Sequence, residues 1–249
     1  MKTIKLLGWA FIALFMCANL IACSSSDDEA IITNQKKLVE LELAQSIGYM
    51  YDLNLKLSYN TKGLLESVID EEEGYFNASF TWFDDNIESI HQDYYKTKDK
   101  YYLTNGLITK QIMTSTEGRK TYIYKYNDSK QFIEMECTNN NYNQFLTYEN
   151  NKLVEYNDRF HSSKFTYGQQ TCKGYFPWEI VIKVFCNDDI EIINVAHPEL
   201  FNMRTNQLPT AIETKYGDKY ELDYDFDEDG YISQIFCEAG NFFIRLKWE

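Results

Sequence analysis

Alternation of apolar and polar residues near the C-terminus is the clearest structural signal in this chain. Residues 222–226 alternate between apolar and acidic side chains, which is the period of a strand with one buried face. The acidic segment 227–230 follows and ends in Gly230, which takes a positive φ at little cost. An apolar run then resumes at residues 231–237. This arrangement predicts a β-hairpin with an acidic turn.

Weaker copies of this hairpin recur along much of the chain. Five copies carry an aromatic residue in their first strand, at intervals of 23, 20, 24 and 22 residues. These residues are Tyr59, Trp82, Tyr102, Tyr126 and Tyr148. A repeat of this length is typical of serial hairpins that cannot bury a face alone.

The repeats predict an all-β fold, a single antiparallel β-meander curled into an open or partly closed barrel-like sheet. We expect this sheet to be soluble rather than membrane-spanning. A membrane barrel needs lipid-facing apolar positions between aromatic girdles. In this chain Glu, Lys and Asp occupy many of the alternating positions, and aromatic residues stand in mid-strand as often as at strand ends.

Two segments are less regular. Residues 30–47 alternate like a strand, although their spacing also suits a short helix, and we favour the strand. The apolar run 180–185 predicts a strand buried on both faces, joined by a turn to a second strand at 190–195. Residues 196–207 predict a loop or a single helical turn, and the last meander begins at residue 208.

The first 22 residues are not expected to belong to this sheet. Two lysines precede the apolar segment 6–20, which is short for a membrane span and typical of a signal peptide. The segment ends in Leu-Ile-Ala-Cys, which resembles the lipobox of bacterial lipoproteins and implies lipid attachment at Cys23. An ordinary secretory signal cut elsewhere and an uncleaved anchor are the alternatives.

Three serines and three acidic residues follow Cys23. They resemble the acidic tether that directs Bacteroidota lipoproteins to the outer face of the outer membrane. The same composition suits a flexible spacer in any protein. No Ser/Pro-rich linker divides the rest of the chain. We predict a signal peptide at 1–22, a flexible acidic tether at 23–35 and a single antiparallel β domain at 36–249.

The net charge of −14 limits the classes of partner. Removing residues 1–22 takes away two lysines and no acid, which leaves −16. Phosphates would be repelled, so nucleic acid is excluded as a partner. We also expect no basic face for anionic lipid, so the acyl chains would provide the membrane attachment. Neutral glycans, peptides and proteins remain, and exposed rings among the 40 aromatic residues could stack on sugars.

Four cysteines remain once Cys17 is cleaved off and Cys23 is lipidated. They are Cys137, Cys172, Cys186 and Cys237. In an exported protein they permit two disulfides with three possible connectivities. Isolated buried thiols on strand faces are equally compatible with their wide spacing. No C-x-x-C pair is present, so a zinc site is not indicated.

Residues 225–230 spell D-x-D-x-D-G, the first half of a calcium loop. The complete loop needs a bidentate acid at its twelfth position, where this chain has Phe236. Glu238 is the one acid placed to reach back. An acidic hairpin turn without metal is therefore the preferred interpretation.

Catalytic motifs are missing from the sequence. Its three histidines lie far apart, and no HExxH, GxSxG, P-loop or dinucleotide fingerprint occurs. A glycosidase needs only two carboxylates at a suitable separation, so a carboxylate-dependent polysaccharide hydrolase stays open. Residues 71–73, three glutamates, are more typical of a charged loop tip. We predict no catalytic residue, metal site or cofactor, and we assign no ligand-binding residue.

Three C-terminal segments carry a family resemblance: residues 193–195 (Ile-Asn-Val), 208–212 (Leu-Pro-Thr-Ala-Ile) and 224–232. They are similar to a Bacteroidota lipoprotein family of unknown function that is described as having a porin-like fold. The repeated hairpins resemble, more loosely, the tyrosine-aspartate repeats of large secreted shell-forming proteins. The resemblance covers about residues 40–249 and implies a barrel-like meander with no known activity or site residues.

These observations lead to one functional expectation and two alternatives. We expect an outer-membrane-anchored, surface-exposed lipoprotein, not an enzyme, with a binding or structural role. Its partners would be the membrane, through the lipid at Cys23, and an extracellular glycan or protein. The alternatives are the polysaccharide hydrolase and a periplasmic scaffold.

Overall fold

Antiparallel strands make up most of the described chain, as the alternation predicts. A computed structural model describes residues 35–45, 52–72, 76–140, 142–186, 192–203, 205–240 and 242–249. The predicted signal peptide, Cys23 and all but the last residue of the predicted tether lie outside the described residues. Within the described ranges, no helix has both the length and the apolar composition needed to cross a membrane.

Seventeen strands and three short helices are described. The strands are β1 Leu38–Gln45, β2 Leu53–Tyr59, β3 Leu65–Asp70, β4 Ala78–Trp82, β5 Asn86–His91, β6 Lys98–Thr104, β7 Leu107–Ser115, β8 Gly118–Tyr126, β9 Phe132–Cys137, β10 Tyr142–Glu149, β11 Lys152–Asn157, β12 Ser162–Thr171, β13 Gln207–Thr214, β14 Lys219–Glu221, β15 Asp223–Phe226, β16 Ile232–Cys237 and β17 Phe242–Trp248. The helices are α1 Trp178–Cys186, α2 Ile192–Ala196 and the 3₁₀ helix Pro198–Phe201.

The strands form one up-and-down sheet that closes on itself. Successive strands pair antiparallel, and β1 pairs with both β2 and β17. One predicted strand is interrupted at Leu222, where β14 pairs with β13 and β15 pairs with β16. The predicted antiparallel meander with a barrel-like sheet is confirmed.

The up-and-down order gives the barrel two different rims. We call the rim where β1 begins the N-terminal rim; turns 60–63, 127–130 and 227–230 lie there. The opposite rim, which we call the distal rim, carries turns such as 92–97 and 215–218. The long connection between β12 and β13 leaves from the N-terminal rim and returns to it.

Burial alternates along the strands as the sequence pattern requires. In β2, Leu53, Leu55 and Leu57 are buried, whereas Lys56 and Ser58 are exposed. Full burial of each such leucine stabilises the fold by about 1.5–3 kcal/mol. The core therefore lies inside the barrel, and the polar residues cover its outer wall.

The connection between β12 and β13 fills the barrel interior. We call residues 175–186 and 192–203 the plug; the described residues of α1, α2 and the 3₁₀ helix are buried, apart from half-buried Glu199. The plug contacts strands on several sides of the barrel. Its ring contacts are Trp178 with Phe165 of β12, Phe201 with Tyr124 of β8, Tyr175 with Trp248 of β17 and Phe176 with Tyr224 of β15.

The predicted strands at 180–185 and 190–195 are wrong, because residues 180–185 lie in α1 and the described part of the second segment, 192–195, lies in α2. An apolar run that is buried on every side carries no period that separates strand from helix. Inside a closed sheet no strand edge is free to pair. A helix satisfies its own backbone groups, so it is the element that can be buried there. The predicted single helical turn within 196–207 is confirmed by the 3₁₀ helix.

Three of the five repeated aromatic residues, Tyr59, Trp82 and Tyr126, share a structural role at the N-terminal rim. Several ladders shift register beside an aromatic residue, for example at Tyr59 in β2 and Tyr126 in β8. These side chains donate hydrogen bonds to carbonyls of the preceding strand. The pairs are Tyr59 to Leu38, Trp82 to Leu65, Tyr126 to Ile108, Tyr167 to Leu153, Tyr224 to Pro209 and Trp248 to Ile232. Burial raises the pKa of the Tyr59 hydroxyl well above its usual value, so it remains a donor.

Three turns of this rim share one hydrogen-bond pattern. In each, the side-chain oxygen of the first residue accepts a backbone N–H from the residue four positions later; these first residues are Asn60, Asn127 and Asp227. The fourth residue has a positive φ, including Lys130 at +60°. Residues 105–106 and 150–151 instead form two-residue turns with both φ values positive, which is the type I′ geometry. The turn types therefore differ among the copies.

Three of the four cysteines follow the isolated-thiol alternative. Cys137, Cys172 and Cys237 are buried and free. Burial raises the pKa of the Cys172 thiol to about 12. The side chain of Cys186 lies outside the described part of the structure.

Candidate functional site

The acidic turn at residues 227–230 binds a cation of its own chain, Lys36. The Lys36 ammonium lies 3.0 Å from a carboxylate oxygen of Asp227 and 2.7 Å from one of Asp229. Hydrogen bonds to Asp229 and Asp227 raise the pKa of Lys36. The backbone N–H of Lys36 also donates to the Tyr231 hydroxyl, at 3.1 Å. The turn therefore fixes the point where the chain enters β1.

This geometry explains the motif D-x-D-x-D-G at residues 225–230, which resembles half of a calcium loop. Asp225 stands on the exposed wall of β15, whereas Asp227 and Asp229 share Lys36. Burial acts to raise the pKa of Asp227, but hydrogen bonds from the Tyr231 N–H, Lys36 and the Asp229 N–H hold it below the usual value. Among the described residues, no group of three or more His, Cys, Asp or Glu side chains is placed to hold a metal ion.

A groove of about 650 Å³ crosses the outer wall formed by β15, β16, β17 and β1. Its floor follows one row of register partners across these strands. Asp223 faces Phe236, Phe236 faces Phe243, and Phe243 faces Ala44. Both phenylalanines are half-buried, so their rings form an apolar shelf on the wall. We call this site the acidic-aromatic groove.

Four carboxylates border the shelf: Asp52, Asp223, Asp225 and Glu238. Within the described part of the chain, none of these carboxylates has a hydrogen bond or an ion pair. The cation beside them, Arg245, already binds both carboxylate oxygens of Glu42, at 3.1 and 3.0 Å. Its guanidinium lies 4.6 Å from the centre of the Phe243 ring. The groove therefore combines an apolar surface with negative charge that no described side chain pairs with.

A second polar cluster has the composition of a hydrolase triad without its geometry. Ser89 Oγ lies 3.0 Å from His91 Nε2, and Asp99 Oδ2 lies 2.9 Å from that same nitrogen. In a triad the serine and the carboxylate contact different ring nitrogens. Ser89 is buried, and Asp99 also accepts a hydrogen bond from the Gln111 side chain at 3.0 Å. The cluster is a hydrogen-bond network of the barrel wall, not a nucleophile.

His197 is buried in the plug. The Leu65 N–H of β3 donates to its Nε2 at 3.1 Å, so Nδ1 carries the proton and donates to Glu199 at 2.9 Å. The Trp82 ring packs against it at 4.9 Å. His197 therefore joins the plug to the barrel wall. His161 lies apart from both other histidines, beside Asp158.

Comparisons with known proteins agree with the fold. No protein-family model matches the sequence, and no curated protein matches it. Among solved structures, a porin-like protein from Bacteroides uniformis is similar, with a TM-score of 0.63 and 14% sequence identity. The match covers 85% of this chain and 96% of that chain. The likeness concerns the fold, and it confirms the porin-like architecture that the resemblance implied.

Membership of the lipoprotein family and attachment at Cys23 remain predictions. The acidic-aromatic groove was missed in the sequence, although Asp223 and Asp225 were recognised as outward-facing positions of one strand. Their partners Phe236 and Phe243 needed only the register of two hairpins. Ala44 and Asp52 come from the opposite end of the chain, and no local pattern places them beside β17.

Proposed function

We propose that this protein is a lipid-anchored outer-membrane protein that binds a neutral or amino-bearing glycan in the acidic-aromatic groove. The observation that carries the proposal is the shelf of Phe236 and Phe243 between four carboxylates that have no partner among the described residues. Surface display, the attachment at Cys23 and the absence of catalysis belong to the same proposal.

The groove has the chemistry that a sugar requires. Aromatic rings offer an apolar face to the C–H groups of a pyranose, and carboxylates accept hydrogen bonds from its hydroxyl groups. An amino sugar would add a charge-assisted bond, which is about twice as strong as a neutral one. The volume of about 650 Å³ falls within the range of small-ligand sites.

The filled interior argues against a channel. Water-filled barrels line their lumen with polar side chains. In this barrel the inward face is mainly apolar, apart from a buried polar cluster that includes Ser89, Asp99 and Gln111. The plug packs against β8, β12, β15 and β17. We therefore place the ligand on the outer wall.

The charges of the outer wall support a barrel that stands in water on a lipid anchor. Opposite charges pair between neighbouring strands, as in Glu88 with Lys100 at 2.8 Å and Glu134 with Lys125 at 2.8 Å. Lys or Arg on the lipid face of a membrane barrel costs about 2–4 kcal/mol at mid-depth. A wall with such pairs suits water, and acyl chains at Cys23 would then hold the protein to the membrane.

A polysaccharide hydrolase is the weaker reading of the same groove. Asp223 and Asp225 point the same way on one strand, about 6–7 Å apart, which is near the carboxylate separation of inverting glycosidases. Both side chains are exposed. A general acid relies on burial to hold its proton at neutral pH, and nothing in the groove provides this.

Binding is tested on the purified mature chain with an array of neutral and amino-sugar oligosaccharides, followed by calorimetry on the best ligand. We expect Phe243→Ala, and Asp223→Asn combined with Asp225→Asn, to weaken binding at least tenfold. Two matched outer-wall controls, Phe145→Ala and Glu213→Gln, should leave the affinity unchanged. Binding that survives both groove variants, or no binding across the array, would overturn the proposed site, and release of shorter sugars would favour the hydrolase.

The anchor is tested separately in intact cells by metabolic labelling with palmitate. We expect label on the wild type and none on Cys23→Ser, and external protease should remove the wild-type protein from intact cells. Label on both variants would reject Cys23 as the lipidated residue. Protection of a lipidated protein from the protease would favour the periplasmic scaffold.

A further inference from the structure

A basic stretch of wall stands out in this acidic chain. Residues 98–126, which span β6 to β8, contain six basic residues and two acids, although the whole chain carries −14. The basic residues are Lys98, Lys100, Lys110, Arg119, Lys120 and Lys125. One of the acids, Asp99, is buried on the inner side. Lys120 shares the inward row of Asp99 and Met113, so five of the six cations stand in outward positions.

Two of these cations, Lys98 and Arg119, lie in one row of register partners near the distal rim, with Thr114 between them. The row crosses four strands: Ile90 faces Lys98, Lys98 faces Thr114, and Thr114 faces Arg119. Neighbouring strands lie about 4.8 Å apart, so the bases of Lys98 and Arg119 are separated by about 10 Å. Both line a groove of about 470 Å³.

Lys98 and Arg119 differ from their neighbour Lys100 in their partners. The Lys100 ammonium binds Glu88 at 2.8 Å and also lies over the Tyr102 ring. Neither Lys98 nor Arg119 has an ion pair or a side-chain hydrogen bond within the described residues. Their positive charges are therefore available to an anion from solution.

Two exposed tyrosines lie on the distal rim, in the turn that leads into Lys98. Tyr94 is 86% exposed and Tyr95 is 45% exposed, in the turn between β5 and β6. The turn is ordered by Asp93, whose carboxylate accepts hydrogen bonds from the backbone and the hydroxyl of Thr97, at 2.8 and 2.6 Å. The Thr116 N–H of the next loop donates to the Tyr95 carbonyl at 2.9 Å. The two rings are thus presented on a fixed turn, which lowers the entropy lost on binding.

We propose that this surface, formed by Tyr94, Tyr95, Lys98, Thr114 and Arg119, is a second binding site and that its ligand is an acidic polysaccharide. Carboxylate or sulfate groups of the polymer bind Lys98 and Arg119, and its sugar rings lie against Tyr94 and Tyr95. We call this surface the basic rim site. It is separate from the acidic-aromatic groove and takes a ligand of opposite charge.

The spacing of charge favours this ligand over nucleic acid. Duplex DNA carries one charge per about 1.7 Å of axis, so any length that reached Lys98 and Arg119 would also bring many phosphates to an acidic protein. A polysaccharide with one charge per sugar or per disaccharide matches two cations about 10 Å apart and brings less repulsion.

The position on the barrel disfavours a membrane surface as the ligand. Lys36, where the chain enters the barrel, lies at the N-terminal rim, and the row from Ile90 to Arg119 lies near the distal rim. This step rests on the proposed anchor at Cys23, which attaches the chain upstream of Lys36. The argument from Lys98, Arg119 and the two tyrosines does not depend on it.

The test measures binding of the mature protein to polygalacturonate, chondroitin sulfate and neutral dextran by affinity electrophoresis at two salt concentrations. We expect retardation by one or both acidic polymers, weaker retardation at high salt, and no retardation by dextran. Lys98→Gln combined with Arg119→Gln should weaken binding at least tenfold, and Tyr94→Ala should weaken it severalfold. Lys164→Gln removes an exposed outer-wall cation on β12 and serves as the matched control.

Equal retardation of the wild type and the double variant would overturn the site, as would no retardation by either acidic polymer. Single-stranded DNA and vesicles containing anionic lipid are assayed in parallel. Tighter, variant-sensitive binding to either of these would replace the polysaccharide with that ligand. Phe243→Ala should leave this binding unchanged, so failure of one site is distinguishable from failure of the other.

Discussion

The interior and the outer wall of this barrel are built on different physics. Inside, the plug packs against the wall through buried rings and a few specific hydrogen bonds, such as the one from the Leu65 N–H to His197. Outside, flexible charged side chains pair across strands in contact with water, where each pair contributes about 0–1 kcal/mol. This difference indicates that the interior determines the fold, whereas the residues of the outer wall are free to vary and to bind ligands.

The largest contrast should appear in thiol reactivity. Burial raises the pKa of Cys172 to about 12, so the reactive thiolate is rare at pH 8. A cysteine introduced on the outer wall by Ser79→Cys has an ordinary thiol pKa near 8.5. We expect the introduced thiol to react with iodoacetamide at least about a thousandfold faster, since each pKa unit changes the thiolate fraction tenfold. Peptide mapping by mass spectrometry measures both rates, and similar rates would show that the interior is open.

Truncation of a plug ring should cost the most stability. Phe176 is fully buried against Trp178, with 4.7 Å between ring centres. Phe176→Ala should lower the free energy of unfolding by about 3–5 kcal/mol, as for other buried phenylalanines. Phe160→Ala, at an exposed position of the distal rim, should change it by less than about 0.5 kcal/mol. Urea titration followed by tryptophan fluorescence measures both, and equal losses would contradict the comparison.

Removal of the plug-to-wall acceptor should have an intermediate effect. His197→Phe keeps a ring beside Trp82 but leaves the Leu65 N–H buried without an acceptor, which costs about 1–3 kcal/mol. His161→Phe, at a partly exposed histidine, is the matched control and should change little. Hydrogen exchange should show faster exchange of the Leu65 amide in the first variant alone. Unchanged exchange would mean that His197 does not hold the plug.

The smallest effect should be a pH dependence of stability that comes from the ion pairs of Lys36 with Asp227 and Asp229. The folded pKa of Asp227 is lowered from 3.8, so its carboxylate stabilises the fold above pH 3.8 and loses this effect as pH falls through the folded pKa. Melting temperature should therefore fall less below pH 4 in Asp227→Asn than in the wild type. Asparagine keeps the turn, because Asn60 and Asn127 fill the same role. Asp128→Asn is the control. A pH profile of the melting temperature that Asp227→Asn leaves unchanged would argue against a stabilising ion pair between Lys36 and Asp227.

Local pattern was sufficient for the hairpins and insufficient for the plug. Each strand of the meander shows its buried face within a few residues, as Leu53, Leu55 and Leu57 do, so the sequence predicts it. For α1 the surroundings decide, because the wall that encloses it is assembled from strands before and after it in the chain. The strong β-propensity of Ile180, Val181 and Ile182 was overridden by this environment.

The candidate sites illustrate the same limit. The basic composition of residues 98–126 is visible in the sequence once charge is counted by segment instead of over the whole chain. The acidic-aromatic groove depends on the pairing of β17 with β1. Neither strand's sequence alone predicts the register of that pairing. Aromatic turns such as Tyr94-Tyr95 gave no signal, because exposure of a ring is decided by the loop that carries it.

Closure of the sheet also has a consequence for the time course of folding. Arg245 of β17 binds Glu42 of β1 across 203 residues of sequence, so the first strand lacks one neighbour until the last strand has been made. Topologies dominated by such distant pairings fold slowly. During synthesis the free edge of β1 offers unpaired backbone groups to other chains. We expect a slow final folding phase that ends when β17 docks, and aggregation in that interval when a folding helper is absent.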